Sequence, residues 1–200
     1  MNRRQFALGA GALAASLTHI AANARDGSDP ATRHDAAMAR SVDTSGYAAV
    51  AFDGLVIFDV RESAAAAADL FRERDALAAL RRSGLRVALL SNMTGDVMQR
   101  GLARGGIADL FEAVLSTDAS STYKPDPRAY RLGTDALHLP KERILFAAFA
   151  GWDVAGAKWF GYPTFWVNRA NAPAEALGIV ADGAGDDLRA LVRFATESVR

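Results

Sequence analysis

Short apolar runs alternate with amphipathic stretches of helical length along most of this 200-residue chain. The short runs have the length of β-strands, and the longer stretches place apolar side chains at the three- and four-residue spacing of a helix. The predicted strands are 48–52, 85–90, 113–115, 144–148 and, as the last one, 164–167. The predicted helices are 64–82, 96–104, 127–137, 153–160 and 186–195.

Strands that alternate with helices form parallel sheets, because each crossover helix returns the chain to the same end of the sheet. We therefore predict an α/β fold, a doubly wound parallel sheet with helices on both faces. Ligands of such sheets bind beyond the carboxyl ends of the strands. The polar residues that follow the predicted strands should therefore converge on one crevice; they are Asp53, Ser91, Asn92, Thr117, Asp118, Lys124 and Asp153.

The first 46 residues do not show this alternation. They begin with a basic start, an apolar stretch and a small-residue end, which is the pattern of a secretory signal peptide. The pair Arg3-Arg4 resembles a twin-arginine signal, so we expect export to the periplasm; an amphipathic N-terminal helix is the alternative. The predicted organisation is a signal peptide at 1–24, a polar, flexible leader at 25–46 and the α/β core at 47–200.

Composition excludes several classes of function. The chain carries 23 basic and 23 acidic residues, and removal of residues 1–24 would take away Arg3 and Arg4 and leave 21 against 23. A net charge near −2 gives no electrostatic basis for binding nucleic acid. The chain has no cysteine, which excludes disulfides and thiol nucleophiles. Outside the signal no apolar run is long enough to span a membrane.

Asp53 lies within the apolar run "AVAFDGLVIFDV", where an unpaired carboxylate would be costly. The segments "FDG", "LLSNMT", "YKPDPRAY" and "GWDVAGAKWFGYPTFWVNR" follow one another in the order and strand context of the haloacid dehalogenase superfamily. The chain resembles the (S)-2-haloacid dehalogenase branch over about residues 47–178. The resemblance implies a Rossmann-like core and hydrolysis of small (S)-2-halo acids to 2-hydroxy acids.

The resemblance also implies three catalytic residues. Asp53 would be the nucleophile that forms an ester with the substrate carbon. Lys124 would hold this carboxylate in its anionic form, and Asp153 would position or activate the hydrolytic water. The structural alternatives are a turn-forming Asp53, a solvated loop lysine at Lys124 and a helix-capping Asp153.

Three further residues would contact the substrate according to the resemblance. Ser91 and Asn92 match a pair that donates hydrogen bonds to the substrate carboxylate or to the leaving halide. Tyr130 matches a tyrosine whose hydroxyl lies in the site. Ser91 and Asn92 would also suit the N-terminus of a helix, so capping is their alternative role.

Other residues receive ordinary structural interpretations. His138 is predicted to lie at a helix end, where a single histidine makes no metal site. The aromatic residues of the last motif are predicted to be core or pocket wall; they are Trp152, Trp159, Phe160, Phe165 and Trp166.

The sequence departs from the phosphatases of the same superfamily. Those enzymes carry a general-acid aspartate two residues after the nucleophile, where this chain has Leu55. They also hold Mg²⁺ with several acidic residues, where this chain offers Asp153 alone. Both differences favour carbon–halogen chemistry without a cofactor, since a halide leaves as a stable anion. Mg²⁺ would be required only under the alternative of a phosphate-ester hydrolase.

The sequence also departs from the better-known dehalogenases. No hydroxyl residue occurs in 54–57, and Ala148, Phe149 and Ala150 stand where those enzymes place polar residues. About 30 residues separate the first two strands, which is enough for one crossover helix but not for a cap domain. We therefore expect low activity, a larger substrate or a cap supplied by a partner chain, as in a homodimer. A catalytically weak scaffold is the non-enzymatic alternative.

Overall fold

The computed structural model describes residues 46–57 and 64–197, without the side chains of Leu55 and residues 64–72. All of these residues belong to one unit, Ala39–Arg200. The predicted signal peptide at 1–24 and residues 25–45 of the predicted leader lie outside the described residues, so both remain predictions.

Six strands form one sheet in which all neighbouring strands are parallel. The strands are β1 (Ala49–Phe52), β2 (Arg86–Ser91), β3 (Ala113–Ser116), β4 (Ile144–Ala148), β5 (Thr164–Val167) and β6 (Gly183–Gly185). Their order is β3-β2-β1-β4-β5-β6, with β1 paired to both β2 and β4. The reversal of strand order at β1 and β4 creates a crevice at their carboxyl ends, as the predicted fold requires.

Strand β6 shows that the prediction of β5 as the last strand was wrong. Its three residues, Gly-Ala-Gly, provide no apolar run for a sequence pattern to detect. Small residues are needed there because a Cβ added at Gly183 would lie 2.7 Å from the Phe194 ring. A Cβ at Gly185 would collide with the Cβ of Ala190. The close packing of the following helix therefore explains why β6 consists of small residues rather than large apolar ones.

Six α-helices occur in the described residues, and they are α1 (Gly54–Ile57), α2 (Ala64–Arg82), α3 (Gly95–Arg104), α4 (Pro127–Leu137), α5 (Gly151–Phe160) and α6 (Leu188–Thr196). Helix α4 shows why these bounds follow from the sequence. The carboxylate of Asp126 accepts the Arg128 N–H at 2.8 Å, and Pro127 occupies the first helical position. His138 ends the helix in a left-handed conformation with φ 52°, which confirms its predicted position. None of these helices is long and apolar enough to cross a membrane.

The helices cover both faces of the sheet and create two separate cores. Along β1, Val50 and Phe52 belong to one core while Ala49 and Ala51 belong to the other, as the two-residue period of a strand requires. The first core includes side chains of α2, α3 and α6, and the second includes side chains of α4 and α5. The predicted doubly wound architecture is confirmed.

Two of the aromatic residues predicted to be core or pocket wall are exposed instead. Trp152 and Trp159 are 37% and 61% exposed, whereas Phe165 is buried as predicted. The two tryptophans are seven residues apart, which is two helical turns, so they lie on the same side of α5. The opposite side of α5 carries Val154 and Ala157 into the core.

The connection between β1 and β2 contains only α1 and α2 among its described residues, and 58–63 lie outside the description. Helix α2 has the predicted bounds and returns the chain to the amino end of β2. No cap domain occurs in the described part of this connection.

Candidate active site

Asp53 lies directly after β1, at the carboxyl end of the central strand of the sheet. Its backbone N–H donates to the carbonyl oxygen of Ala147 on β4 at 3.0 Å, and its own carbonyl accepts from Val56 of α1 at 3.1 Å. The residue is 6% exposed. The neighbouring strand and the following helical turn therefore fix the backbone of this buried carboxylate.

Gly54 allows β2 to approach the turn that follows Asp53. A Cβ at position 54 would lie 2.8 Å from the Cβ of Ser91 and would collide with its hydroxyl oxygen. The sequence "DG" therefore combines a buried carboxylate with the one residue type that fits beside Ser91.

Lys124 is fully buried and lies between two carboxylates. Its ammonium group donates to Oδ2 of Asp53, and to Oδ2 of Asp153 at 3.0 Å. The ring centroid of Phe146 lies 5.2 Å from the same nitrogen, within the range of a cation–π interaction. The alternative of a solvated loop lysine is excluded.

Asp153 lies in the first turn of α5, but its carboxylate does not cap this helix. The residue before the helix is Ala150, which gives no side-chain capping bond. Besides its bond to Lys124, the Asp153 carboxylate accepts the Tyr130 hydroxyl on Oδ1 at 2.7 Å. The structure therefore brings together Asp53, Lys124, Asp153 and Tyr130.

Burial and charge act in opposite directions on this cluster. Burial lowers the pKa of Lys124, but the charges of Asp153 and Asp53 and their hydrogen bonds outweigh it, so the pKa rises above its ordinary value. Burial raises the pKa of Asp153; the Lys124 charge opposes this effect and the Asp53 charge adds to it, leaving the pKa above normal. Burial also raises the pKa of Tyr130, so its hydroxyl remains a hydrogen-bond donor.

Asn92 holds the backbone of the segment that carries Lys124. Its Oδ1 accepts the Lys124 N–H at 2.8 Å and the Thr117 hydroxyl at 3.3 Å, while its Nδ2 donates to the Lys124 carbonyl at 3.3 Å. This arrangement fixes the point from which the lysine side chain enters the crevice.

Ser91 is buried, and its hydroxyl accepts the Met93 N–H at 3.1 Å. Helix α3 begins after Thr94, so neither Ser91 nor Asn92 caps it. Contact of these two residues with a substrate remains a prediction.

The sequence pattern of haloacid dehalogenase-like hydrolases matches residues 20–161. The chain belongs to this family. Its buried Asp53 and Lys124 lie within the matched residues, and so does Asp153.

Curated relatives of the chain are dehalogenases. It is 40% identical to an (S)-2-haloacid dehalogenase of Pseudomonas sp. (strain YL) over 120 residues. These residues are 60% of this chain and 52% of the relative. It is 41% identical over 109 residues to haloacetate dehalogenase H-2 of Moraxella sp. (strain B), covering 54% and 49%. The chain thus spans about half the length of the curated relatives it matches.

Solved structures give the same assignment of family and fold. The comparison of this chain with the L-2-haloacid dehalogenase RSc1362 gives a TM-score of 0.67 and 27% sequence identity. It covers 75% of this chain and 99% of that chain. The L-2-haloacid dehalogenase of Xanthobacter autotrophicus with chloropropionic acid covalently bound has a TM-score of 0.56 and 30% identity, over 60% and 58%. A phosphatase from Thermococcus onnurineus, at 22% identity and a TM-score of 0.56, shares the fold.

Gly156 of α5 is a residue of this haloacid dehalogenase-like site that our sequence interpretation missed. A Cβ at this position would collide with the Tyr130 hydroxyl and would lie 2.7 Å from the Cβ of Pro125. Gly156 therefore permits the approach of α4 that brings Tyr130 to Asp153. The sequence feature that could have identified Gly156 is a glycine inside a helical pattern. Such a glycine lowers helix stability, so its presence indicates close packing against a neighbour.

The crevice offers a metal ion few acidic ligands, namely the carboxylates of Asp53 and Asp153. Within the described part of the chain, no group of three or more His, Cys, Asp and Glu side chains is placed to hold one. Asp53 and Asp153 are both bonded to the Lys124 ammonium, so a Mg²⁺ ion seeking oxygen ligands would compete with that group.

Proposed function

We propose that this protein hydrolyses the carbon–halogen bond of small (S)-2-halo acids and releases 2-hydroxy acids. The observation that carries the proposal is the buried cluster of Asp53, Lys124 and Asp153 at the crevice between β1 and β4. The relatives with the same family assignment are named as haloacid or haloacetate dehalogenases, which supports this substrate class.

The first step would be nucleophilic displacement. A carboxylate oxygen of Asp53 attacks the carbon that bears the halogen, a C–O bond forms, and the halide leaves with the electron pair of the broken bond. The Lys124 ammonium donates a hydrogen bond to Asp53 and so holds its carboxylate in place before the attack. No proton is needed by the leaving group.

The second step would be hydrolysis of the Asp53 ester. Asp153 accepts a proton from water as the water oxygen attacks the ester carbonyl carbon. The bond between the carbonyl carbon and the substrate oxygen then breaks, the second proton of the water passes to that oxygen, and the 2-hydroxy acid leaves the regenerated Asp53 carboxylate. Asp153 finally gives its proton to the solvent. One halide ion and one proton are released in each turnover. The raised pKa of Asp153 is suited to a group that must accept a proton.

Halide release from (S)-2-chloropropionate tests the proposal, with Asp53→Asn as the decisive variant. We expect loss of turnover in Asp53→Asn and normal turnover in Asp135→Asn, a matched change at an exposed residue of α4. In H₂¹⁸O, repeated turnover should place the label in the peptide that contains Asp53. Equal halide release by Asp53→Asn and the unchanged protein would refute the nucleophile.

Two other outcomes would support the remaining alternatives. Hydrolysis of p-nitrophenyl phosphate that requires Mg²⁺ and stops with a chelator would indicate a phosphatase. Absence of turnover with both substrate classes would indicate a scaffold.

We also propose that the protein is exported by the twin-arginine route and cleaved after Ala24. The support is the Arg3-Arg4 pair followed by an apolar stretch and a small-residue end. Replacement of both arginines by lysine should leave the uncleaved chain in the cytoplasm, whereas Arg25→Lys should not. Periplasmic recovery of the double variant would refute this route.

A second copy of the chain is our proposal for what closes the crevice. The support is the connection from β1 to β2, which has only α1 and α2 in its described residues. Light scattering should then show a dimer, and halide release per chain should fall on dilution. A fully active monomer would refute the proposal.

A further inference from the structure

The segment that follows β5 reaches the turn behind Asp53. Arg169 lies two residues after β5, and its Nη1 donates to the carbonyl oxygen of Val56 in α1 at 2.8 Å. Its Nη2 donates to Oε1 of Glu73 in α2 at 2.5 Å. One guanidinium group thus joins three segments that are separated in sequence by 113 and 96 residues.

This contact is less exposed to solvent than an ordinary surface ion pair. The side chains of Arg169 and Glu73 are 26% and 12% exposed. The planar guanidinium can bond two acceptors at once, which a lysine ammonium on its flexible stem cannot do with the same fixed geometry. Helix α1 has only four residues, so its carbonyl groups need partners outside the helix. Arg169 supplies such a partner to Val56.

The contact is connected to the nucleophile through the backbone. The Val56 N–H donates to the Asp53 carbonyl at 3.1 Å, and the Asp53 N–H donates to Ala147 of β4. Strand β4 therefore holds Asp53 on one side, and α1 holds it on the other. Arg169 ties α1 itself to α2.

We propose that Arg169 is a positioning residue for Asp53: by holding α1 against α2, it sets the direction from which the carboxylate attacks. Arg169 does not contact the reacting atoms in this scheme. The inference rests on the proposed function only for its kinetic consequence.

The kinetic test compares Arg169→Ala and Arg169→Lys with the control Arg189→Ala. Arg189 lines the same cavity of about 240 Å³ as Arg169, but its ion pair with Asp187, at 3.6 Å, is exposed. Because small misplacements of reacting groups cost up to about a hundredfold in rate, we expect kcat for halide release to fall by about tenfold or more in Arg169→Ala. KM should stay within about twofold, since the substrate contacts remain. Arg169→Lys should recover part of the loss, and Arg189→Ala should match the unchanged protein.

Hydrogen–deuterium exchange tests the same inference without substrate. The peptide containing residues 53–57 should exchange faster in Arg169→Ala than in Arg189→Ala, while peptides from β2 and β4 exchange equally in both. Faster exchange throughout the sheet would mean general destabilisation and would overturn the proposal. Unchanged exchange at 53–57 together with unchanged kcat would also overturn it. If the unchanged protein releases no halide, the proposed function fails while exchange at 53–57 still decides the role of Arg169.

Discussion

Two buried carboxylates, those of Asp53 and Asp153, share the ammonium group of Lys124. Replacement of Lys124 by methionine keeps a similar volume but leaves both carboxylates without this cation. Breaking a buried ion pair by removing one partner costs about 3–5 kcal/mol. We therefore expect Lys124→Met to lower the free energy of unfolding in urea by about this amount and to abolish halide release. Arg131→Met, which removes an exposed cation of α4, should change stability by no more than about 0.5 kcal/mol. Equal stability of the two variants would contradict this account.

Tyr130 is one of the groups that affect the pKa of Asp153. Burial raises that pKa most, and the hydrogen bond from the Tyr130 hydroxyl lowers it. Loss of the hydroxyl in Tyr130→Phe should therefore raise the pKa of Asp153 further. If Asp153 acts as a base, kcat/KM declines as the pH falls through this pKa, so the acidic limb should move to higher pH.

Tyr162→Phe is the matched control for this profile, because the Tyr162 hydroxyl donates to the backbone carbonyl of Tyr130 rather than to a carboxylate. Its acidic limb should coincide with that of the unchanged protein. An unshifted limb in Tyr130→Phe would show that Asp153 does not limit activity at low pH.

At the scale of elements, the packing of α5 against α4 depends on Gly156. Alanine normally stabilises a helix interior by about 1 kcal/mol relative to glycine. At Gly156 the added methyl group would collide with the Tyr130 hydroxyl and crowd Pro125. We therefore expect Gly156→Ala to lower both the melting temperature and kcat.

Gly95→Ala at the start of α3, where a Cβ meets nothing within 4 Å, should leave the melting temperature unchanged or raise it. A more stable and fully active Gly156→Ala would contradict the packing argument.

Most of the elements could be predicted because their patterns follow from burial. Strand β4 is a continuous apolar run since helices cover both of its sides, and α4 begins at an Asp-Pro pair that favours a helix start. Strand β6 could not be predicted in this way. Its glycines are required by the approach of Ala190 and Phe194, which are contacts between elements rather than a property of the local sequence.

The candidate site was predictable to a similar degree. The carboxyl ends of parallel strands meet at one edge of a sheet, so polar residues after β1 and β4 could be expected to converge there. The bonds of Asn92 to both the N–H and the carbonyl of Lys124 depend on the path of the loop between β3 and α4. No periodic pattern describes such a path, and the contact of Arg169 with α1 has the same origin.

At the scale of the whole molecule, the fold depends on β1, the strand between β2 and β4. It supplies Val50 and Phe52 to one core and Ala49 and Ala51 to the other, and both cores are completed by helices between residues 54 and 197. The polar segment 25–46 shows no pattern of a buried element. The part of the chain from Gly46 onwards should therefore fold without residues 1–45.

A chain that begins at Gly46 tests this boundary. We expect its melting temperature to lie within about 2 °C of that of the longer chain, because a loss of 1 kcal/mol shifts the midpoint by about 2–4 °C at this size. Halide release should also be retained, since Asp53, Lys124 and Asp153 are all present. A chain that begins at Gly54 lacks β1 and should show no cooperative melting, because β2 and β4 lose their shared neighbour and both cores lose their central side chains. A midpoint lowered by more than about 4 °C in the chain from Gly46 would show that residues 1–45 contribute to the core.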